Sequence, residues 1–166
     1  MPDLEQCYLA AMRILGYRFN SEAELRRKLT AKRKFDRETI EATIVRLREE
    51  KWLDDERFAG AFVRARAQKR VGRNRIRREL EAAGVSASAA AAAVSEHVDG
   101  EQQQAALRAL CAKRARILAR RHGPEFLSTE EGRNKLAVYL LNHGYEAALV
   151  HEAVKEIRVA HHQSDS

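Results

Sequence analysis

Apolar side chains recur along the chain at offsets of three and four, the spacing of one face of a helix. From Asp3 to about Gly16, Leu4, Tyr8, Met12 and Leu15 share a side. After a turn at Phe19-Asn20, Ser21 and Glu24 stand at capping-box spacing ahead of the buried pair Leu25 and Leu29. Asp36 is expected to cap a third helix, along which Ile40, Ile44 and Leu47 recur. A second group follows. Asp54 and Asp55 provide a cap and negative charge ahead of a helix bearing Phe58, Phe62 and Ala65. Gly72 is read as the break after it, Ile76 and Leu80 as the pair of the next helix, and Gly84 as that helix's end. A thin alanine helix, Ala87 to Val94, comes third.

The third group opens with a longer helix, Glu101 to Arg121, for which Ala106, Ala109, Leu110 and Ile117 are the packing candidates. Gly123-Pro124 breaks it, and Ser128 to Glu131 reads as another capping box. Leu136 and Leu140 form the pair, Gly144-Tyr145 the turn, and Leu149, Ala153, Val154 and Ile157 the last buried face. The pairs Leu25/Leu29, Ile76/Leu80 and Leu136/Leu140 are thus each followed by a turn and a further helix. That recurrence predicts an all-α chain of three tandem three-helix, helix-turn-helix-like repeats over 1–53, 54–98 and 99–160, with a disordered tail at 161–166. Tandem helical units usually stack into an extended, curved body.

Composition leaves this reading in place, with Pro2 and Pro124 the only prolines. Charge adds to it: a net +7 and a pI near 9.7 favour a polyanionic partner. Cys7 and Cys111 lack C-x-x-C spacing and read as small buried apolar residues of a reducing compartment. No apolar run approaches membrane-span length and no signal-peptide core is evident, so the cytoplasm is expected. Phosphate-loop, dinucleotide and zinc-protease motifs are missing. His143 and His151 read as a helix-end residue and a surface residue rather than ligands, and Asp54 and Asp55 as caps. A non-enzyme without metal, cofactor, membrane or small-molecule substrate is the expectation.

The cations are the stronger signal. The net charge divides as +3 over 1–53, +3 over 54–98 and +1 over 99–166. Arg64, Arg66, Lys69, Arg70, Arg73, Arg75, Arg77 and Arg78 crowd the junction of the second repeat's first two helices. Arg26, Arg27 and Lys28, with Lys32, Arg33 and Lys34, occupy the equivalent helix of the first repeat. Like charges at helical spacing cost stability, so an unbalanced cluster points to a counter-charge on something else. Asn74 is the lone candidate for reading bases, and no paired aromatics serve single-strand stacking. Contact with a polyanion without sequence readout, or with an acidic protein, fits better.

The string Ser21-x2-Glu24-Leu25-x3-Leu29, Ile40, Leu47, Leu53-Asp54-Asp55-Glu56-Arg57-Phe58-Ala59, then Gly72-x3-Ile76-x2-Glu79-Leu80-x3-Gly84-Val85, is similar to the RecX regulatory proteins. The resemblance spans about residues 13–98; the third repeat follows it only in plan. It implies tandem three-helix repeats in an elongated, curved protein and a partner, the RecA–DNA filament, whose growth, ATP hydrolysis and strand exchange are restrained. With that partner, the cation clusters are expected to make the contact: Arg64, Arg66, Lys69, Arg70, Arg73, Arg75, Arg77 and Arg78, with Arg26, Lys32, Arg33 and Lys34, would meet RecA or weakly and non-specifically held single- or double-stranded DNA. Two departures, Lys34 in place of the family's usual glycine and Lys51-Trp52 in place of a small residue, are expected to alter turns and not the fold. The alternative reading is a stand-alone helical DNA-binding regulator; a scaffold without a nucleic-acid role is the third.

Overall fold

The structure, a computed structural model, describes residues 2–163. Among the described residues there are nine α-helices and one 3-10 helix, and no strand. The helices are α1 (Pro2–Leu15), α2 (Glu22–Ala31), α3 (Arg37–Glu49), α4 (Asp55–Gln68), α5 (Arg73–Ala82), α6 (Ala87–His97), α7 (Gly100–His122), α8 (Glu130–Asn142) and α9 (Ala147–Gln163). The 3-10 helix is Pro124–Ser128. Of the disordered tail expected at 161–166, residues 161–163 are instead the end of α9, and residues 164–166 lie outside the described residues. The chain divides into two compact units. The first takes everything described up to Phe62 and again Glu79–Ala93; the second takes Val63–Arg78 and the chain from Val94 on.

The core of the first unit joins Leu25 and Leu29 of α2 to Ile40, Ile44 and Leu47 of α3, all at most 3 % exposed. From α1 it takes Cys7 and Ala11; Tyr8, Met12 and Leu15, expected to be central, flank it half-buried. Burying a side chain of leucine size is worth about 1.5–3 kcal/mol, so these few residues hold three short helices together. Asp36 caps α3 by accepting the Thr39 N–H at 2.7 Å. Ser21 likewise accepts the Glu24 N–H, at 3.0 Å. The expected return leg is missing, because the Glu24 carboxylate pairs with Arg18 at 2.9 Å instead.

Ser21 has a second role. It is fully buried, and its hydroxyl donates to the Ala83 carbonyl at the end of α5. Beside that contact Gly84 has φ +91°, and a Cβ there would fall 2.2 Å from the Ala23 Cβ. Asp54 caps its own helix through the Arg57 N–H at 3.0 Å. Asp55 instead accepts the Glu22 N–H at 2.8 Å and so caps α2, a helix more than thirty positions earlier. The two acids expected to start one helix start two.

The second unit is centred on Leu107, Cys111, Ala115 and Leu118 of α7, packed on Leu136 and Leu140 of α8 and Val150, Ala153 and Val154 of α9. The α7 stripe is therefore rotated from the expected one: Ala109 is exposed and Ile117 is 45 % exposed. Likewise Val63 is buried on α4 whereas Ala65 is not. At the start of α8 the cap is Thr129, which accepts the Gly132 N–H at 3.0 Å; the Ser128–Glu131 box does not form.

Gly72 does not break α4, which ends at Gln68 with Arg70 in the left-handed region at φ 57°. Its role is close approach. The Gly72 N–H donates to the His143 carbonyl at 2.8 Å and the Asn74 N–H to the Gly144 carbonyl at 3.0 Å. A Cβ on Gly72 would lie 2.3 Å from the Gly144 carbonyl carbon, and one on Gly144 (φ +91°) would lie 2.3 Å from the Arg75 Cβ. Gly72→Ala is therefore expected to cost about 1–3 kcal/mol by overpacking. Gly100→Ala, with nothing within 4 Å of the added carbon, should be neutral or slightly stabilising. Urea denaturation of the two variants makes the comparison, and equal midpoints would remove close packing as the reason for Gly72.

Cys7 and Cys111 are buried free thiols. Burial, aided by the Glu156 carboxylate, pushes Cys111 up to about 11 from an ordinary 9.0. The folded chain thus holds that proton more tightly than the unfolded one, so the contribution is complete below pH 9.0 and is lost as pH rises through about 11. Between pH 8 and 10.5 the stability of Cys111→Ala should fall by about 1–2 kcal/mol less than that of the native sequence.

Candidate partner-binding surface

The second unit holds the larger cationic cluster. The C-terminal half of α4 carries Arg64 and Arg66, the connection carries Lys69 and Arg70, and α5 carries Arg73, Arg75, Arg77 and Arg78. Ile76 and Leu80 are both fully buried, which fixes the rotation of α5 and turns Arg75, Arg77 and Arg78 outward. Lys69 and Arg70 are exposed in the connection.

What positions the connection is a set of polar contacts that residue type alone does not announce. Gln103 of α7 is buried; its side-chain amide donates to the Val71 carbonyl at 3.2 Å, and its oxygen accepts the Arg73 N–H at 3.3 Å. The Tyr145 hydroxyl donates to the Arg70 carbonyl at 2.8 Å. The ring is buried, and that desolvation raises the phenol above its ordinary value, keeping it a donor. A left-handed backbone at a bulky residue carries strain of about 1–3 kcal/mol, and these bonds hold Arg70 in it.

The cluster is not uniform. Arg73 is half-buried and donates from Nη2 to the Val98 carbonyl at 2.6 Å. Arg75 reaches the Asn142 carbonyl at 3.5 Å, Arg78 the Asn74 carbonyl at 3.3 Å, and Arg64 stands 3.5 Å from His97 Nδ1. Arg66 and Arg77 also have intramolecular interactions.

In the first unit the basic residues divide more sharply. Arg26 is held between Glu41 at 2.6 Å and Glu22 at 2.9 Å, and its hydrogen bonds keep the Glu41 carboxyl below the usual carboxylate range. Lys28 donates to the Asn20 side chain at 2.6 Å, and Arg27 reaches the Ala82 carbonyl at 3.3 Å. Arg26 thus has its counter-charges within the chain, contrary to the unbalanced cluster expected there. Lys32, Arg33 and Lys34 are exposed in the α2–α3 turn. There Arg33, four residues past Leu29, takes the left-handed conformation at φ 51°; Lys51 does so at the α3–α4 turn, with φ 60°.

Among the described residues no group of histidine, cysteine and acidic side chains could hold a metal ion, and no helix is long and apolar enough to cross a membrane. His143 sits at the end of α8, its Nδ1 2.8 Å from the Tyr139 carbonyl.

Such a surface defines a class: an all-α protein of three-helix domains with exposed cations at a helix–helix turn. The RecX first three-helix domain matches residues 7–47 and the RecX second three-helix domain residues 54–94. The regulatory protein RecX of Cronobacter sakazakii is 42 % identical over 103 residues, an alignment covering 56 % of this chain and 62 % of that relative's length. That of Serratia proteamaculans is 31 % identical over 157 residues, covering 81 % of this chain and 88 % of the relative. A crystal structure of RecX from Lactobacillus salivarius has the same fold, with a TM-score of 0.78 over 95 % of this chain and 98 % of that one at 22 % identity. The chain belongs to the RecX family.

Arg73→Ala should cost about 1–3 kcal/mol, the worth of a charged hydrogen-bond donor at a half-buried site. Lys69→Ala should stay within about 0.5 kcal/mol. Thermal and urea unfolding separate cations that hold the fold from those left for a partner; equal losses would erase the distinction.

Proposed function

We propose that the chain binds the RecA–DNA filament and restrains RecA's ATP hydrolysis, strand exchange and filament extension, and so regulates recombination, DNA repair and the SOS response. Membership of the RecX family is the observation that carries this reading. The exposed cations supply its physics. Lys69, Arg70, Arg75, Arg77 and Arg78 on one unit, and Lys32, Arg33 and Lys34 on the other, are the groups that meet acidic patches of RecA subunits and DNA phosphates. Inhibition then follows from holding neighbouring subunits in one arrangement, a binding effect that asks for no catalytic group, metal or cofactor. The chain works in the cytoplasm, where RecA and DNA are. Contacts to DNA alone are weak and non-specific, because such cations read charge and not base edges.

The test is RecA's hydrolysis of ATP on single-stranded DNA, titrated with this protein at fixed salt. The expected result is a fall at well below one copy per RecA subunit. Lys69→Glu, Arg70→Glu and Arg78→Glu together should weaken inhibition at least about tenfold with helical circular dichroism unchanged, since each exposed pair is worth about 0.2–1 kcal/mol and reversal adds repulsion. A folded triple variant that inhibits like the native sequence would remove these cations from the account. No inhibition by the native sequence, together with DNA affinity that collapses as salt rises, would favour the stand-alone DNA-binding reading.

A further inference from the structure

The second unit carries a groove far from basic in its floor. It lies between α8 and α9, with a volume of about 520 Å³, and is lined by Leu141, Val150 and Val154 with Arg133, His151 and Lys155. No carboxylate among its described lining residues balances those three nitrogen groups, and no phenyl, phenol or indole ring among them offers a base a broad stacking face.

The polar lining gathers away from the turn, while the apolar floor runs on to Val154. Leu141 and Ala147 lie either side of the turn at Gly144, so the end near the turn is apolar. Arg133 and Lys155 each stand eight residues farther along their helices, about 12 Å at 1.5 Å per residue. Leu141 is 39 % exposed, although α8 turns Leu136 and Leu140 fully inward. An apolar side chain left in water beside an uncompensated cationic rim matches a ligand with both characters.

We infer that the α8–α9 groove is a docking site for an acidic, amphipathic helix of a protein partner, with an apolar residue against Leu141 and carboxylates one to two turns away, at His151 and then at Lys155 and Arg133. Charge complementarity selects the acid, and the apolar floor selects a peptide over nucleic acid. Arg133 already donates to the Ser128 carbonyl and so is held at the rim. Lys155, exposed on α9, is the cation whose loss leaves the fold untouched.

The probe is a fluorescein-labelled, stapled alanine-based helix carrying two leucines and, two turns on, two glutamates. Fluorescence anisotropy against the full chain should show saturable binding. Lys155→Glu should weaken it at least about fivefold, in keeping with one lost ion pair and one new repulsion, and should improve binding of the same helix with lysines replacing the glutamates. Leu141→Asp should abolish it. Asn134→Trp, which fills the groove from an exposed lip position, supplies a second block should Leu141→Asp unfold. Binding that survives both blocks, or a scrambled helix that binds equally well, overturns the site. Displacement by dodecanoate at concentrations below those of the peptide would give the groove to a small anionic amphiphile and overturn the peptide assignment. The measurement needs no RecA or DNA, so its failure and that of the regulatory reading are distinguishable.

Discussion

Everything else in the chain accommodates one constraint: in each unit, a helix start is pressed against a turn so closely that the turn has no room for a Cβ. In the first unit Ser21 and Ala23 of the α2 start meet Ala83 and Gly84. In the second, Gly72, Asn74 and Arg75 of the α5 start meet His143 and Gly144. Both turn glycines lie four residues past the second member of a buried pair, Leu80 or Leu140, and both have φ +91°. The contact satisfies backbone groups that helix ends leave open, which is why short helices with small cores can be joined this way. The surrounding choices follow from it: a serine that both caps and donates, an aspartate that caps another helix, and a buried glutamine that holds the Val71–Arg73 backbone.

The cations are distributed on the same terms. Where a guanidinium is needed for the fold, the chain supplies its partner, as Glu22 and Glu41 do for Arg26 and the Val98 carbonyl does for Arg73. Where the backbone turns, at Lys69-Arg70 and Lys32–Lys34, the side chains are exposed and crowded with like charge. Crowding of that kind is tolerated in water because it is screened. It is relieved more fully on a polyanionic surface.

The pairs Leu25/Leu29, Ile76/Leu80 and Leu136/Leu140 were legible because leucine-like residues four apart, bounded by caps and glycines, leave only one face to bury; all six are at most 1 % exposed. The faces of α4 and α7 were not. Alanine is nearly as content outside as inside, so Ala65 and Ala109 gave no bearing, and Val63 and Cys111 carried the rotation instead. Glu24 and Arg18 show a second gap: capping-box spacing says that a carboxylate can reach back, not that it lacks a better partner. The basic surface was visible as a cluster, yet the division between Arg26 or Arg73 and Lys69 or Arg70 depends on carbonyls and acids brought from distant positions. Gln103 and Tyr145, which fix the α4–α5 connection, had no local signal beyond being polar groups on apolar faces.

Arg33 shows where the pattern stops. It stands four residues past Leu29, as Gly84 and Gly144 stand past Leu80 and Leu140, and it is likewise left-handed. It differs in having a side chain where the other turns would not admit even one carbon. No helix start could seat on that turn as Ser21 and Gly72 seat on theirs. In the second unit the matching position before Leu136 is Gly132, and there the chain's own Phe126 carbonyl fills the space, 2.0 Å from where a Cβ would stand. The contact that the chain makes twice within itself is thus occupied at both leftover positions by the chain's own atoms, a side chain at Arg33 and a carbonyl at Gly132.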